Sequence, residues 1–153
     1  MRTIVIGGLL AFGLATGCAH RCACKHGTTQ TKAAEKKTLY DRLGQKPAIT
    51  AVVEEFVTRI GADTVINARF ANTDLVHLKA ALVDQICEAS GGPCKYTGRD
   101  MKTAHTGMQI TEAEWNALVG DLKGALDKFK VPKAEQDDLI GAIAPMKTSI
   151  VGQ

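Results

Sequence analysis

The sequence predicts an all-helical domain, and three observations lead there. From Leu39 onward the apolar residues recur at helical spacings of three and four. No alternating apolar–polar pattern, as a half-buried strand would need, persists beyond a few residues. The boundaries carry helix start and stop chemistry: Pro47, a Thr111–Glu114 capping pattern and a Gly91-Gly92-Pro93 stop.

The elements follow in chain order. Pro47 opens the first long helix, in the first turn, where a missing N–H costs least. Its apolar stripe is Ile49, Val52, Val53, Phe56, Val57 and Ile60, and Gly61 ends it. Residues 62–73 look irregular and carry Phe70. A second helix is expected over Asp74–Ala89, with Leu75, Leu78, Leu82 and Ile86 on one face. Beyond Gly91-Gly92-Pro93 comes a loop with Tyr96 and Gly98. A short helical piece, Asp100–Thr106, then carries Met101 and His105. Thr111 and Glu114 can satisfy reciprocal backbone donors and launch a helix. Its expected buried side is Trp115, Leu118, Val119, Leu122, Leu126 and Phe129. Pro132 starts a last helix that runs to Ile150, and Pro145 should kink it.

The N-terminus reads as an address. Met1-Arg2 is a short positive start, Ile4 to Leu14 an apolar run, and Ala15-Thr16-Gly17 a small-residue cleavage site. Cys18 follows directly, as in a bacterial lipobox, although Leu14 lies one position early. We expect a signal peptide over residues 1–17 and a lipid anchor through Cys18. Ordinary secretion and an uncleaved anchor are the alternatives. Either of the first two places the protein in the bacterial cell envelope or periplasm. Residues 18–37 form a polar linker, and residues 38–153 the single domain. Cys22, Cys24 and His26 in the linker could bind a metal, or the two thiols could pair or oxidise. Their spacing does not match Cys-x-x-Cys-His covalent haem attachment. The net charge of +3 owes much to Lys25, Lys32, Lys36 and Lys37. The domain itself is nearly balanced and lacks a basic stripe with interleaved aromatics, so no nucleic-acid partner is expected.

The run Gly91-Gly92-Pro93-Cys-Lys-Tyr96-Thr97-Gly98-Arg99-Asp-Met101-Lys102-Thr-Ala-His105 resembles the group I truncated haemoglobins. Leu39-Tyr40-Asp41-Arg42-Leu43-Gly44 and Ile143-Ala144-Pro145 fit the same family. Gln45 departs from it, standing where a second glycine is common. The resemblance covers roughly Thr38 to Val151. It implies a two-over-two helical sandwich around non-covalent haem b, with His105 as the proximal iron ligand. Phe70 would pack on the porphyrin, with Phe56 and Tyr96 nearby. Met101, Ile110 and Leu118 would line the proximal side. Arg99, Lys102, His77 or Lys79 would meet the propionates, as cations suit carboxylates.

In many relatives a Tyr on the first long helix and Gln residues on the second donate hydrogen bonds to a gas ligand. The matching positions here are Val57, Leu78 and Leu82, with Ile86 deeper, and none of them can donate. O2 gathers negative charge on its outer atom when it binds ferrous haem. A charge-assisted hydrogen bond contributes about 1.5–3 kcal/mol, so its loss should speed O2 release by about one to two orders of magnitude. CO should lose less. Fast O2 release, easy oxidation and poor discrimination against CO are therefore expected. His77 sits beside Leu78, about 100° around the helix, and could ligate the iron if the helix turned; Lys79 could do the same.

These readings favour a gas-binding haem protein for O2, NO or CO outside the cytoplasm. The alternative is an extracytoplasmic electron-transfer or NO/O2 redox protein with a redox partner. Enzyme chemistry such as NO dioxygenation or peroxide cleavage ranks below both, since the distal side lacks the polar groups it would need. A haem-free helical lipoprotein ranks last. Cys87 and Cys94 are left open between a disulfide bracing the loop before His105 and two unpaired thiols.

Overall fold

The structure, a computed structural model, describes residues 37–153. The signal segment, Cys18 and the Cys22/Cys24/His26 cluster lie outside the described residues. Those residues form an all-α, two-over-two helical sandwich with no strand. A single isolated bridge pairs Ile110 with Val151.

Helix α1, Leu39–Arg42, is capped by the Thr38 hydroxyl, which accepts from the Asp41 N–H. Gly44 (φ 90°) takes the left-handed turn into α2, Gln45–Ala62. A Cβ there would lie 2.9 Å from Ala48 Cβ, so only glycine turns this corner without strain. The stripe expected on α2 is the one that is buried, Ile49 through Ile60. A 3₁₀ turn at Asn67–Phe70 follows. Asp74 caps α3, Leu75–Ala89, by accepting from the Val76 and His77 N–H groups. Helix α4 is Met101–His105, capped by Asp100. Helix α5, Glu112–Lys128, begins with both halves of the expected capping box in place. Helix α6 spans Lys133–Ile143.

Three expectations need correction. The last helix does not run to Ile150: the α-helical ladder stops at Ile143 and a 3₁₀ helix, Ala144–Ser149, continues the chain. Pro145 has no N–H to give, and its ring would clash with the carbonyl one turn back. The outcome is a change of helix type rather than a kink. Phe129, the residue that closes α5, is 45% exposed, and Leu118 and Val119 are only half buried; Trp115, Leu122 and Leu126 are buried as expected, together with Ala125. On α3 the core-facing residues are Val83, Ile86 and Cys87, whereas Leu78 and Leu82 are only half buried and Leu75 is exposed.

The core gathers around α2, which packs on α3 along one side and on α5 along the other. Val53, Ile60, Leu126 and Leu139 are almost wholly excluded from solvent; each such side chain contributes about 1.5–3 kcal/mol by burial. Arg42 ties α1 to α6 through Glu135 and Asp138. Helix α4 stands apart from this mass. It rests mainly on the 3₁₀ helix Ala144–Ser149 and makes little contact with α3.

Candidate functional site

The gap between α3 and α4 is where the sequence placed its site residues. His105 closes α4 and is half buried. Its Nδ1 lies 2.7 Å from the Met101 carbonyl oxygen. A carbonyl can only accept, so Nδ1 carries the hydrogen and donates. In the neutral ring Nε2 is then left with a bare lone pair, the form a metal ligand needs. Met101 sits one turn before His105 and thereby fixes both tautomer and ring orientation.

Across the gap, Leu78 and Leu82 lie on α3 at a spacing of four and show a common apolar face. Phe70, Leu82 and Leu118 pack against the core cluster that holds Phe56, Val57 and Ile86. Met101 and Ile110 are half buried. Val57 and Ile86 are buried, and neither carries a donor.

The polar candidates fare differently. Arg99, Lys102 and His77 are exposed. The Lys79 ammonium is paired with Glu54 on α2. Tyr96 donates its hydroxyl to the Arg99 carbonyl at 2.9 Å. Its ring lies flat over Gly98, where any Cβ would fall 2.4 Å from the Tyr96 oxygen. Cys87 and Cys94 form a disulfide, with Cα atoms 5.7 Å apart. Gly92 lies in the fold of this knot: a Cβ there would sit 2.7 Å from Cys87 Sγ and 2.5 Å from the Tyr40 ring.

Several residues at the site escaped the sequence reading. Gln85, Glu88, Ala89, Asp100 and Met146 join the expected Tyr96 and Met101 in lining a cavity of about 270 Å³ between α3, the loop and the C-terminal 3₁₀ helix. Gln85 Nε2 lies 3.4 Å from Met101 Sδ and 3.5 Å from Met146 Sδ. The spacing Leu78, Leu82, Gln85, Ala89 is itself a helical stripe and would have flagged Gln85. Arg69 was also missed. It grips Glu114 at 2.6 and 3.1 Å and donates to the Met108 carbonyl at 2.7 Å. That fastens the segment beside Phe70 to the start of α5 and to the turn after His105. The Arg69 guanidinium, then the Thr111 N–H and hydroxyl, hold the Glu114 pKa down at about 2.

The residues fit a haem. Among the described residues no three His, Cys, Asp or Glu side chains converge as a metal site. A metal at His105 must therefore bring further donors of its own, as a porphyrin does with its ring nitrogens. The half-buried apolar side chains Leu78, Leu82, Met101 and Leu118 offer such a ligand apolar surface to rest on.

Comparison with known proteins agrees. The family model described as Bacterial-like globin matches residues 38–151. The "Group 1 truncated hemoglobin GlbN" of Mycolicibacterium paratuberculosis is 38% identical over 117 residues, covering 76% of this chain and 86% of that one. The one from Nostoc commune is 36% identical, covering 76% and 98%. Among solved structures, the Fe(III) form of truncated hemoglobin from Tetrahymena pyriformis superposes with a TM-score of 0.74 at 28% identity, over 76% of this chain and 100% of that one. The chain belongs to the bacterial-like globin family, as a truncated globin of the group 1 kind whose cofactor is non-covalently bound haem with its iron.

Proposed function

We propose that the chain binds a diatomic gas reversibly at haem iron held by His105, in an apolar distal pocket, outside the cytoplasm. The observation that carries this is the His105–Met101 hydrogen bond, which leaves Nε2 free and oriented. Ferrous haem supplies an open coordination position at which O2, NO or CO can bind and leave. The chain's own part is to hold that group and set the polarity around the ligand. Val57, Leu78 and Leu82 exclude water and donate nothing. A polar ligand such as O2 is therefore released quickly, and a less polar one such as CO is penalised less.

The exposed ring of His77 and the Glu54 partner of Lys79 speak for a free distal position rather than ligation from the protein. Absorption spectra of ferric, ferrous and ferrous-CO protein test the reading. We expect a five-coordinate ferrous spectrum in the wild type and in His77→Ala, and loss of that spectrum in His105→Ala. An unchanged spectrum in His105→Ala would overturn the assignment.

An extracytoplasmic address is supported by the Met1–Cys18 pattern and by the Cys87–Cys94 disulfide, a bond that persists in oxidising compartments. Fractionation with lipid labelling of wild type and Cys18→Ser tests it. Label on the wild type alone, in the envelope fraction, is the expected result.

A further inference from the structure

The geometry points to the Cys87–Cys94 disulfide as a clamp that sets the position of His105 by tying the proximal loop to the distal helix. This rests on His105 being the iron ligand.

Helix α4 has five residues. A helix so short cannot hold itself, because nucleation costs more than its few bonds return. Its position must come from its packing on the 3₁₀ helix Ala144–Ser149 and from its two flanks. On the C-terminal flank, Arg69 holds the Met108 carbonyl. The Gln109 N–H donates to the Gln153 carbonyl and the Gly152 N–H to the Ile110 carbonyl, so the chain end grips the turn after His105.

On the N-terminal flank only Gly92, Cys94 and Tyr96 are half buried, and Cys94 packs against the core cluster. Residues 91, 93, 95 and 97–100 are all exposed. Glu88 on α3 reaches this loop twice, accepting from Lys95 Nζ and from the Tyr96 N–H, each at 2.9 Å. The Lys95 contact is solvent-facing and weak, and the Tyr96 bond is partly buried. The disulfide is the one covalent tie. Its α3 end is completely buried, and Cys87 lies next to Ile86 and five residues beyond Leu82 on the distal helix. From Cys94 the chain runs through Tyr96, whose hydroxyl folds onto the Arg99 carbonyl, to Asp100, which caps α4. A single bond thus joins the wall that meets the gas to the wall that holds the iron. Opening it frees the loop to swing and α4 to tilt, and the His105 ring goes with them.

The bond can be opened by a dithiol. Cys94 is the partly exposed partner, so a thiolate attacks its sulfur and Cys87 leaves as the thiol after taking up a proton. The second thiol of the reagent then displaces Cys94 and closes the reagent into its own cyclic disulfide. Two electrons and two protons pass to the protein.

The test compares wild type, dithiothreitol-treated wild type, Cys94→Ser and Cys87→Ala/Cys94→Ala, with Val53→Ala as a control that weakens the α2 core and leaves the disulfide in place. Three readouts apply: amide hydrogen exchange over residues 93–106 in haem-free protein, the ferrous iron–histidine stretching band, and the rate of haem loss to an acceptor globin. In every form lacking the disulfide we expect exchange over 93–106 to rise while α2 and α5 stay protected. The iron–histidine band should shift or broaden, and haem should leave about tenfold faster. Val53→Ala should lower overall stability and leave all three readouts in place. An unshifted band with unchanged haem loss in Cys94→Ser would overturn the clamp, as would the same shifts in Val53→Ala. Failure of the His105 assignment shows separately, as an unchanged spectrum in His105→Ala.

Discussion

Two apolar regions of this molecule are built from the same residue types and end in different states. Around α2, Val53, Phe56, Ile60, Leu122, Ala125 and Leu126 are packed against one another and almost fully buried. On the crevice side, Leu78 and Leu82 of α3, Met101 of α4, Phe70 and Leu118 are no more polar, yet they are only partly buried. In the first region each side chain finds a protein partner. In the second, the two walls scarcely meet. Apolar surface left facing a gap beside an oriented imidazole is what remains of a core when its central component is not an amino acid. The difference separates residues that hold the fold from residues that hold the ligand, and mutations should respect it.

The largest effect should come from the first region. Phe56→Ala removes a buried ring from α2 and should cost about 3–5 kcal/mol of stability. Urea unfolding of haem-free protein measures it. Leu82→Ala, a truncation of similar chemistry on the crevice wall, should cost haem-free protein less, because that side chain is only partly buried. Its loss should appear instead as weaker haem retention. Equal costs in haem-free protein would erase the distinction drawn here.

Next in size is opening the disulfide. Closing a loop of about eight residues removes roughly 2–3 kcal/mol of chain entropy from the unfolded state. Cys94→Ser should therefore lower the urea midpoint by a corresponding amount, checked by far-UV circular dichroism. The third prediction leaves stability alone and changes the ligand. Leu82→Gln places a donor on the distal wall. If its amide reaches the ligand it should add about 1.5–3 kcal/mol, slowing O2 dissociation by about one to two orders of magnitude with little change for CO. Stopped-flow displacement of O2 by CO gives the rate. The half-open state of Leu82 makes the substitution tolerable to the fold.

Much of this organisation is legible in the sequence, and the parts that are not share a cause. The α2 stripe, the helix starts at Asp74 and Asp100 and the Thr111–Glu114 box depend on residues within one or two turns, so local pattern suffices. The face of α3 does not. Periodicity puts Leu75, Leu78, Leu82 and Ile86 together, but it cannot say whether the surface opposite is protein. The answer divides the helix between Val83, Ile86 and Cys87 on one side and Leu78 and Leu82 on the other. Gln85 continues the Leu78–Leu82 stripe, but its sulfur contacts come from Met101 and from Met146, 61 residues away. Arg69 and Glu114 are 45 residues apart, and nothing local in either marks the pair. The disulfide could not be decided from spacing, because it depends on the sharp turn that Gly92 permits under the Tyr40 ring.

Glu114 connects the two regions and carries the smallest of the expected effects at neutral pH. Its carboxylate accepts from Arg69 beside Phe70 and from the Thr111 N–H at the head of α5. Arg69 first, and Thr111 next, depress its pKa from 4.5 to about 2. A carboxyl whose folded pKa lies below its unfolded value contributes stability that is fully present above the unfolded value. That contribution drains as the pH falls from about 4.5 towards about 2. Glu114→Gln keeps one oxygen to accept from the Thr111 N–H and loses the charge together with the second acceptor oxygen. At pH 7 it should therefore cost less than any change above, while the acid limb of the stability curve between those two values becomes shallower. The effect should also be directional. Protonating Glu114 loosens Arg69, and Arg69 holds the Met108 carbonyl three residues past His105. Acid should free the turn after α4 before it disturbs the α2 core, so haem release on acidification should precede loss of helical signal. In Glu114→Gln, whose Arg69 contact no longer titrates, the interval between those two events should narrow. Simultaneous loss of haem and helix in the wild type would show that the crevice and the core unfold as one unit.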